Sequence, residues 1–134
     1  MKGIGIKFFF FLLFSSLGNC NIYAQDKSLF ADVRLALKAG SSKELAQHFH
    51  DNIQLNIRDE SANYSKVHAE IYLKEFFKKH EPISFEYVIQ QSTNEGVKYA
   101  IGNYVHSEGT YLVLIRAKKI DGKEKIYIID FSVE

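Results

Sequence analysis

Gly109-Thr110-Tyr111-Leu112-Val113-Leu114-Ile115-Arg116-Ala117-Lys118-Lys119-Ile120-Asp121-Gly122-Lys123-Glu124-Lys125-Ile126-Tyr127-Ile128-Ile129-Asp130-Phe131 reads as two long strands folded back on a tight turn. β-Branched and aromatic residues crowd both arms, and Asp121-Gly122 supplies two residues that accept positive φ, as a two-residue hairpin turn requires. Two further strands precede them, over 83–91 and 97–106, with Asn94-Glu95-Gly96 and Ser107-Glu108-Gly109 at the connections. Four strands, over 83–91, 97–106, 110–120 and 125–133, therefore form an antiparallel meander.

Upstream, the period lengthens. Leu29, Phe30, Val33, Ala36 and Leu37 share one stripe of a helix over 27–39, which Gly40 ends. A shorter helix follows, opened by a Ser41/Glu44 capping box, with Leu45 and Phe49 one turn apart on one face. Ile53, Leu55 and Ile57 alternate with polar neighbours as a half-buried strand, and residues 59–64 form a polar connection. Ser65 caps a third helix whose stripe is Ala69, Tyr72, Leu73, Phe76 and Phe77. Lys78, Lys79 and His80 complement its C-terminal end, and Pro82 stops it. The expected architecture is α+β, with three N-terminal helices packed on one face of the sheet.

The first 24 residues follow a different logic. Lys2 and Lys7 precede the apolar run Phe8-Phe9-Phe10-Phe11-Leu12-Leu13-Phe14, and Ile22-Tyr23-Ala24 leads into Gln25. A short basic start, an apolar core too short to span a bilayer and a small-residue end make a secretory signal peptide. Cleavage after Ala24 leaves one exported domain over 25–134, periplasmic or secreted. In the alternative, Cys20 carries a lipid and anchors the protein to a membrane; Asn19 is a poor predecessor for that processing.

Removal of the leader lowers Lys+Arg from 17 to 15 against 16 Asp+Glu, so net charge moves from +1 to −1. A near-neutral domain lacks the positive field that nucleic acid binding needs, and no nucleic acid partner is expected. Cys20 is the only cysteine and lies in the leader, which excludes disulfides, thiol nucleophiles and cysteine-based metal sites from the exported part.

Certain phrases are more specific. Leu45-Ala46-Gln47-His48-Phe49 precedes Asp51-Asn52-Ile53-Gln54-Leu55; Tyr64-Ser65-Lys66, Phe76-Phe77, Lys98-Tyr99-Ala100-Ile101-Gly102, Gly109-Thr110-Tyr111 and the terminal Phe131-Ser132-Val133-Glu134 follow. With this element order the chain resembles the nuclear transport factor 2-like superfamily, and within it the secreted bacterial domain of unknown function 4783 family. The resemblance implies a cone-shaped, curved antiparallel sheet, a cystatin-like roll packed against three helices. It carries no activity with it. Steroid isomerases and polyketide cyclases of the wider superfamily use a carboxylate base in an apolar pocket with a donor for the oxyanion; other members only bind or dimerise.

Asp130 is the most suggestive carboxylate, because it interrupts an apolar run. By strand alternation it shares a face with Ile126, Ile128 and Ser132, and pairing with Arg116 or a lysine on an outer face is the favoured reading. His48, His50 and Asp51 cluster in sequence but span a helix-to-strand change without a further ligand; His68 and His106 stand alone. No metal and no cofactor is expected. Phe30, Phe49, Tyr72, Phe76, Tyr99, Tyr111 and Phe131 come from different elements. Phe30, Phe49, Tyr72, Phe76 and Phe131 are the expected lining of a cavity at the open end of the cone.

A protease inhibitor of the cystatin type is disfavoured, since Gln90-Gln91-Ser92-Thr93 lacks the inhibitory Gln-x-Val-x-Gly loop. The sequence reading is therefore an exported, non-enzymatic domain that binds a small apolar ligand or a protein partner. The rival is a ligand-transforming enzyme of the isomerase or cyclase type. Leu112, Leu114, Ile126 and Ile128, or their alternates, are expected to form an apolar patch on the outer sheet face, covered in a homodimer or, in the competing explanation, by a different envelope protein.

Overall fold

The computed structural model describes residues 28–134, so the leader, Cys20 and the Ala24–Gln25 bond lie outside the described residues. Helix α1 (Leu29–Ala39) is capped by the Ser28 hydroxyl, which accepts from the Ala31 amide, and ends at Gly40 with φ 65°. Helix α2 (Ser42–Ala46) starts at Ser41, whose hydroxyl accepts from the Glu44 amide. Only half of the expected capping box is made. The Glu44 carboxylate accepts from the Gln47 side chain, and the Ser41 amide donates instead to the Ala36 carbonyl.

Six strands follow: β1 (Phe49–Ile57), β2 (Glu60–Ser65), β3 (Pro82–Ser92), β4 (Lys98–His106), β5 (Gly109–Ile120) and β6 (Lys123–Val133). Helix α3 (Lys66–Lys79) lies between β2 and β3. Their order in the sheet is β2-β1-β6-β5-β4-β3. The last four strands form the expected meander, and Asp121 and Gly122 at the β5–β6 turn both have positive φ, 54° and 81°. Two element assignments differ from the sequence expectation. Phe49 opens β1 rather than extending α2. Residues 59–64, expected as a connection, contribute most of a strand that pairs antiparallel with β1, Ile57 opposite Glu60 and Asn52 opposite Ser65. The addition of β1 alongside β6 is parallel.

The sheet is curved and unclosed, and bulges shape it. Ile83 and Val88 are extra residues on β3 relative to β4, and Tyr127 is extra on β6, because Arg116 pairs with Ile128 while Ala117 pairs with Ile126. The Tyr127 bulge corrects the expected facing of β6. Ile126 turns inward and is fully buried with Ile129 and Phe131, while Ile128, Asp130 and Ser132 face outward.

The concave face holds the core. Val33 and Leu37 of α1, Leu45 of α2, and Leu73 and Phe77 of α3 close over Phe49, Ile53, Leu55, Phe85, Tyr104, Val113, Ile115 and Phe131. Burial of this apolar surface is the main stabilising contribution. Tyr87 anchors the far edge by donating from its hydroxyl to the Phe30 carbonyl at 2.8 Å.

Candidate functional site

Helix α3 crosses the mouth of the curved sheet, and its last two turns do not seal against the β1–β2 hairpin. A cavity of about 720 Å³ remains there. Its apolar wall comes from Ile57 at the end of β1, Ile71, Tyr72 and Phe76 on α3, and Tyr111 on β5. Phe76 forms the floor: its ring lies 4.7 Å from Phe131, 4.9 Å from His80 and 5.5 Å from Tyr111, centroid to centroid. These tilted contacts fix the floor by aromatic packing. Tyr72 stands on the wall against Tyr64, with ring centroids 5.4 Å apart, and burial pushes its phenol pKa upward.

Charge is confined to the rim. Arg58, Asp59 and Glu60 come from the β1–β2 turn, and Glu75 and Lys79 from the outer side of α3; all five are exposed. Arg58 holds φ 59°, a left-handed conformation uncommon for a residue with a side chain, and its amide donates to the Phe131 carbonyl at 2.8 Å. That bond ties the rim to β6, directly above the floor.

A polar corner borders the cavity. His80 caps α3 at its C-terminus, His106 ends β4 and Glu108 lies in the following turn. Ligand atoms of the three lie within 4.8 Å of one another. The rings of His80 and His106 meet edge to face at 5.0 Å, and His106 stacks on Tyr111 at 5.0 Å. Burial, then His106 and Arg58, lower the His80 pKa. Its Nδ1 is buried and has no hydrogen-bond partner among the described residues.

Of the residues expected to line a cavity, the structure places Tyr72 and Phe76 on its surface. Phe131 lies beneath the floor, fully buried. Phe49 is interior at the other end of the sheet, and Phe30 packs against Tyr87, 5.8 Å between centroids. Tyr111 is a lining residue as well, whereas Tyr99 is on β4, its hydroxyl donating to Gln91.

Asp130 is remote from the cavity. It lies on the outer face, as favoured, but its partner is Asn56 of β1, whose amide donates at 3.1 Å, rather than Arg116. Parallel pairing of β1 with β6 places these two side by side, a neighbour that an all-antiparallel order would not supply.

His48, His50 and Asp51 do not converge. His50 Nδ1 is engaged with the Asn52 backbone, and His48 is half-buried with its pKa lowered by desolvation. The grouping of His80, His106 and Glu108 carries no sequence motif, because α3 and the β4–β5 turn meet only in the fold.

A profile of the domain of unknown function DUF4783 matches residues 30–132, nearly the whole described region. The chain belongs to the DUF4783 family. A DUF4783 protein from Bacteroides ovatus ATCC 8483 is 29% identical and superposes with a TM-score of 0.74 over 78% of this chain and 94% of its own. Another, from Bacteroides uniformis ATCC 8492, is 26% identical, TM-score 0.76, over 80% of this chain and 98% of its own. Fold alone is shared with a Nostoc punctiforme domain of cystatin-like fold, 12% identical at TM-score 0.62 over 78% of this chain and 72% of its own. A de novo designed protein with a curved β-sheet shares it too, 12% identical at TM-score 0.64 over 77% of this chain and 94% of its own. No curated protein matches the chain. The DUF4783 fold is thus the expected cone, and its family brings no assigned activity.

Proposed function

We propose that this DUF4783 domain is an exported, non-enzymatic module that takes a small apolar or aromatic ligand into the cavity between α3 and the β1–β2 hairpin. The observation that carries this reading is the division of the cavity into an apolar interior (Ile57, Tyr72, Phe76, Tyr111) and a charged rim. Small-molecule sites have this composition, and about 300–1,000 Å³ is their usual size. The isomerase or cyclase alternative needs a carboxylate inside the apolar part, beside the ligand. Asp130 is on the opposite face of the sheet, and Asp59, Glu60 and Glu75 stand exposed on the rim. The N-terminal charge and hydropathy pattern supports export.

Fluorescence titration with an apolar aromatic probe tests the reading. Saturable binding that Ile71→Glu weakens at least tenfold, with the domain still folded, supports it; Ile71 is exposed on the wall, so its replacement does not perturb the core. Binding indifferent to Ile71→Glu contradicts it.

A homodimer through the outer sheet face is a second reading with its own observation. Ile89, Ile101 and Leu114 are opposite one another across β3, β4 and β5 on that face, flanked by Leu112 and Ile128. The patch is narrower than the sequence suggests. Ile126 is inside, and the β6–β1–β2 half of the face carries Asp130, Asn56, Gln54 and Ser61, hydrogen-bonded to one another.

A further inference from the structure

Two imidazoles and a carboxylate meet at the edge of the cavity, contributed by three different elements. His80 is fixed by its position as the cap of α3, where its amide donates to the Phe76 carbonyl and its own carbonyl accepts from the Tyr104 hydroxyl. His106 is buried and fixed by stacking on Tyr111. Glu108 is exposed and free to rotate.

We propose that His80, His106 and Glu108 form a binding site for a divalent late first-row metal ion, with a remaining coordination position open towards the cavity. Two histidines and one carboxylate are a ligand set for Zn2+ and its neighbours, and three protein ligands with an open fourth position are the pattern of sites that engage a ligand.

The distances suit this. Ligand atoms now within 4.8 Å of one another must close to about 3.3 Å for a tetrahedral shell with bonds near 2.0–2.1 Å. Rotation of the exposed Glu108 side chain and tilting of the two rings would supply that closure.

Ring orientation is also suitable. His106 Nδ1 accepts a long bond from the Glu108 amide, 3.4 Å, which turns a ring lone pair to the side of Glu108. A metal at Nδ1 displaces only that weak contact. His80 Nδ1, buried without a partner among the described residues, is a polar atom whose burial otherwise costs stability with nothing to offset it. A bond from His80 Nδ1 to the metal relieves that.

His80 also lines the cavity, as does Tyr111 beneath His106. An ion held here faces the rim of the apolar chamber and offers an anchor for a carboxylate or other lone-pair donor on a bound molecule. The metal site goes beyond the ligand-binding reading and can be tested with no ligand present.

Isothermal titration of the purified chain with Zn2+, after chelator treatment, is the direct test, with Co2+ absorption as a second readout. The expected result is one Zn2+ per chain and the intense visible bands of four-coordinate Co2+. Glu108→Gln, on an exposed residue that leaves the core untouched, should weaken Zn2+ binding by about tenfold or more, since loss of even a supporting contact costs about 10–100-fold. His106→Gln should abolish it, and His50→Ala should leave it unchanged. The proposal is overturned if Zn2+ does not bind saturably, if Glu108→Gln binds like the original, or if binding disappears with His50→Ala. Should His106→Gln not fold, the Glu108→Gln comparison alone decides.

Discussion

Gly102 gives the ring of Phe85 its place: a Cβ added at Gly102 would stand 2.6 Å from Phe85 Cζ and 2.7 Å from the Glu86 carbonyl oxygen. Phe85 is fully buried on β3, and Gly102 faces it from β4 next to the Val88 bulge, where the sheet bends over the helices. A missing side chain and an extra residue thus act together to curve the sheet, devices that bent sheets need.

Gly102→Ala should therefore destabilise the domain by about 1–3 kcal/mol, the usual cost of overpacking a filled core. Urea unfolding monitored by circular dichroism measures it. An unchanged midpoint would mean that Phe85 has another rotamer available, and that the curvature does not depend on this contact.

The Tyr127 bulge separates two isoleucines that simple alternation would put on one face. Ile126→Glu places a charge in the core and should cost about 3 kcal/mol or more, while Ile128→Glu, on the outer face, should cost about 1 kcal/mol or less. Light scattering on Ile128→Glu then reports the proposed dimer. A dimeric parent and a monomeric variant fit the outer-face interface. A monomeric parent at tens of micromolar, roughly where an ordinary interface is populated, contradicts it.

Much of this fold is legible in the sequence because its signals are local. Ser41 and Ser65 cap two of the helices, Gly40 ends α1, and Asp121-Gly122 turns the last hairpin. Strand β2 is not legible, since Glu60–Ser65 is almost entirely exposed on an edge and has no apolar alternation to read. The facing of Ile126 depends on a bulge that shifts register by one residue, and periodicity alone does not reveal it. Aromatic content foreshadows a cavity near Tyr72 and Phe76. Burial of Phe30 and Phe49 elsewhere follows from which end of the cone each element reaches, whereas Phe131 lies beneath the Phe76 floor. The meeting of His80 with His106 is purely tertiary.

Asp130 accepts a side-chain hydrogen bond from Asn56 on the outer face and has no access to the cavity. Asp130→Asn should leave ligand binding unchanged and alter stability by less than about 1.5 kcal/mol, the worth of one such bond. Binding measured by fluorescence and stability measured by urea unfolding check the two parts. Loss of binding in a folded variant would revive the enzyme-like assignment of this residue.

The central claim is that the chamber bounded by Ile57, Tyr72, Phe76 and Tyr111 is a small-molecule site. Heteronuclear NMR titration of the domain with a panel of small apolar and aromatic compounds tests it most directly. At least one compound should give saturable shifts that centre on Ile57, Ile71, Tyr72, Phe76 and Tyr111, with β3 and the outer face of β4 silent. Saturable shifts centred on Ile101, Leu112 and Leu114 instead, or no saturable shift in the chamber across the panel, would contradict the account.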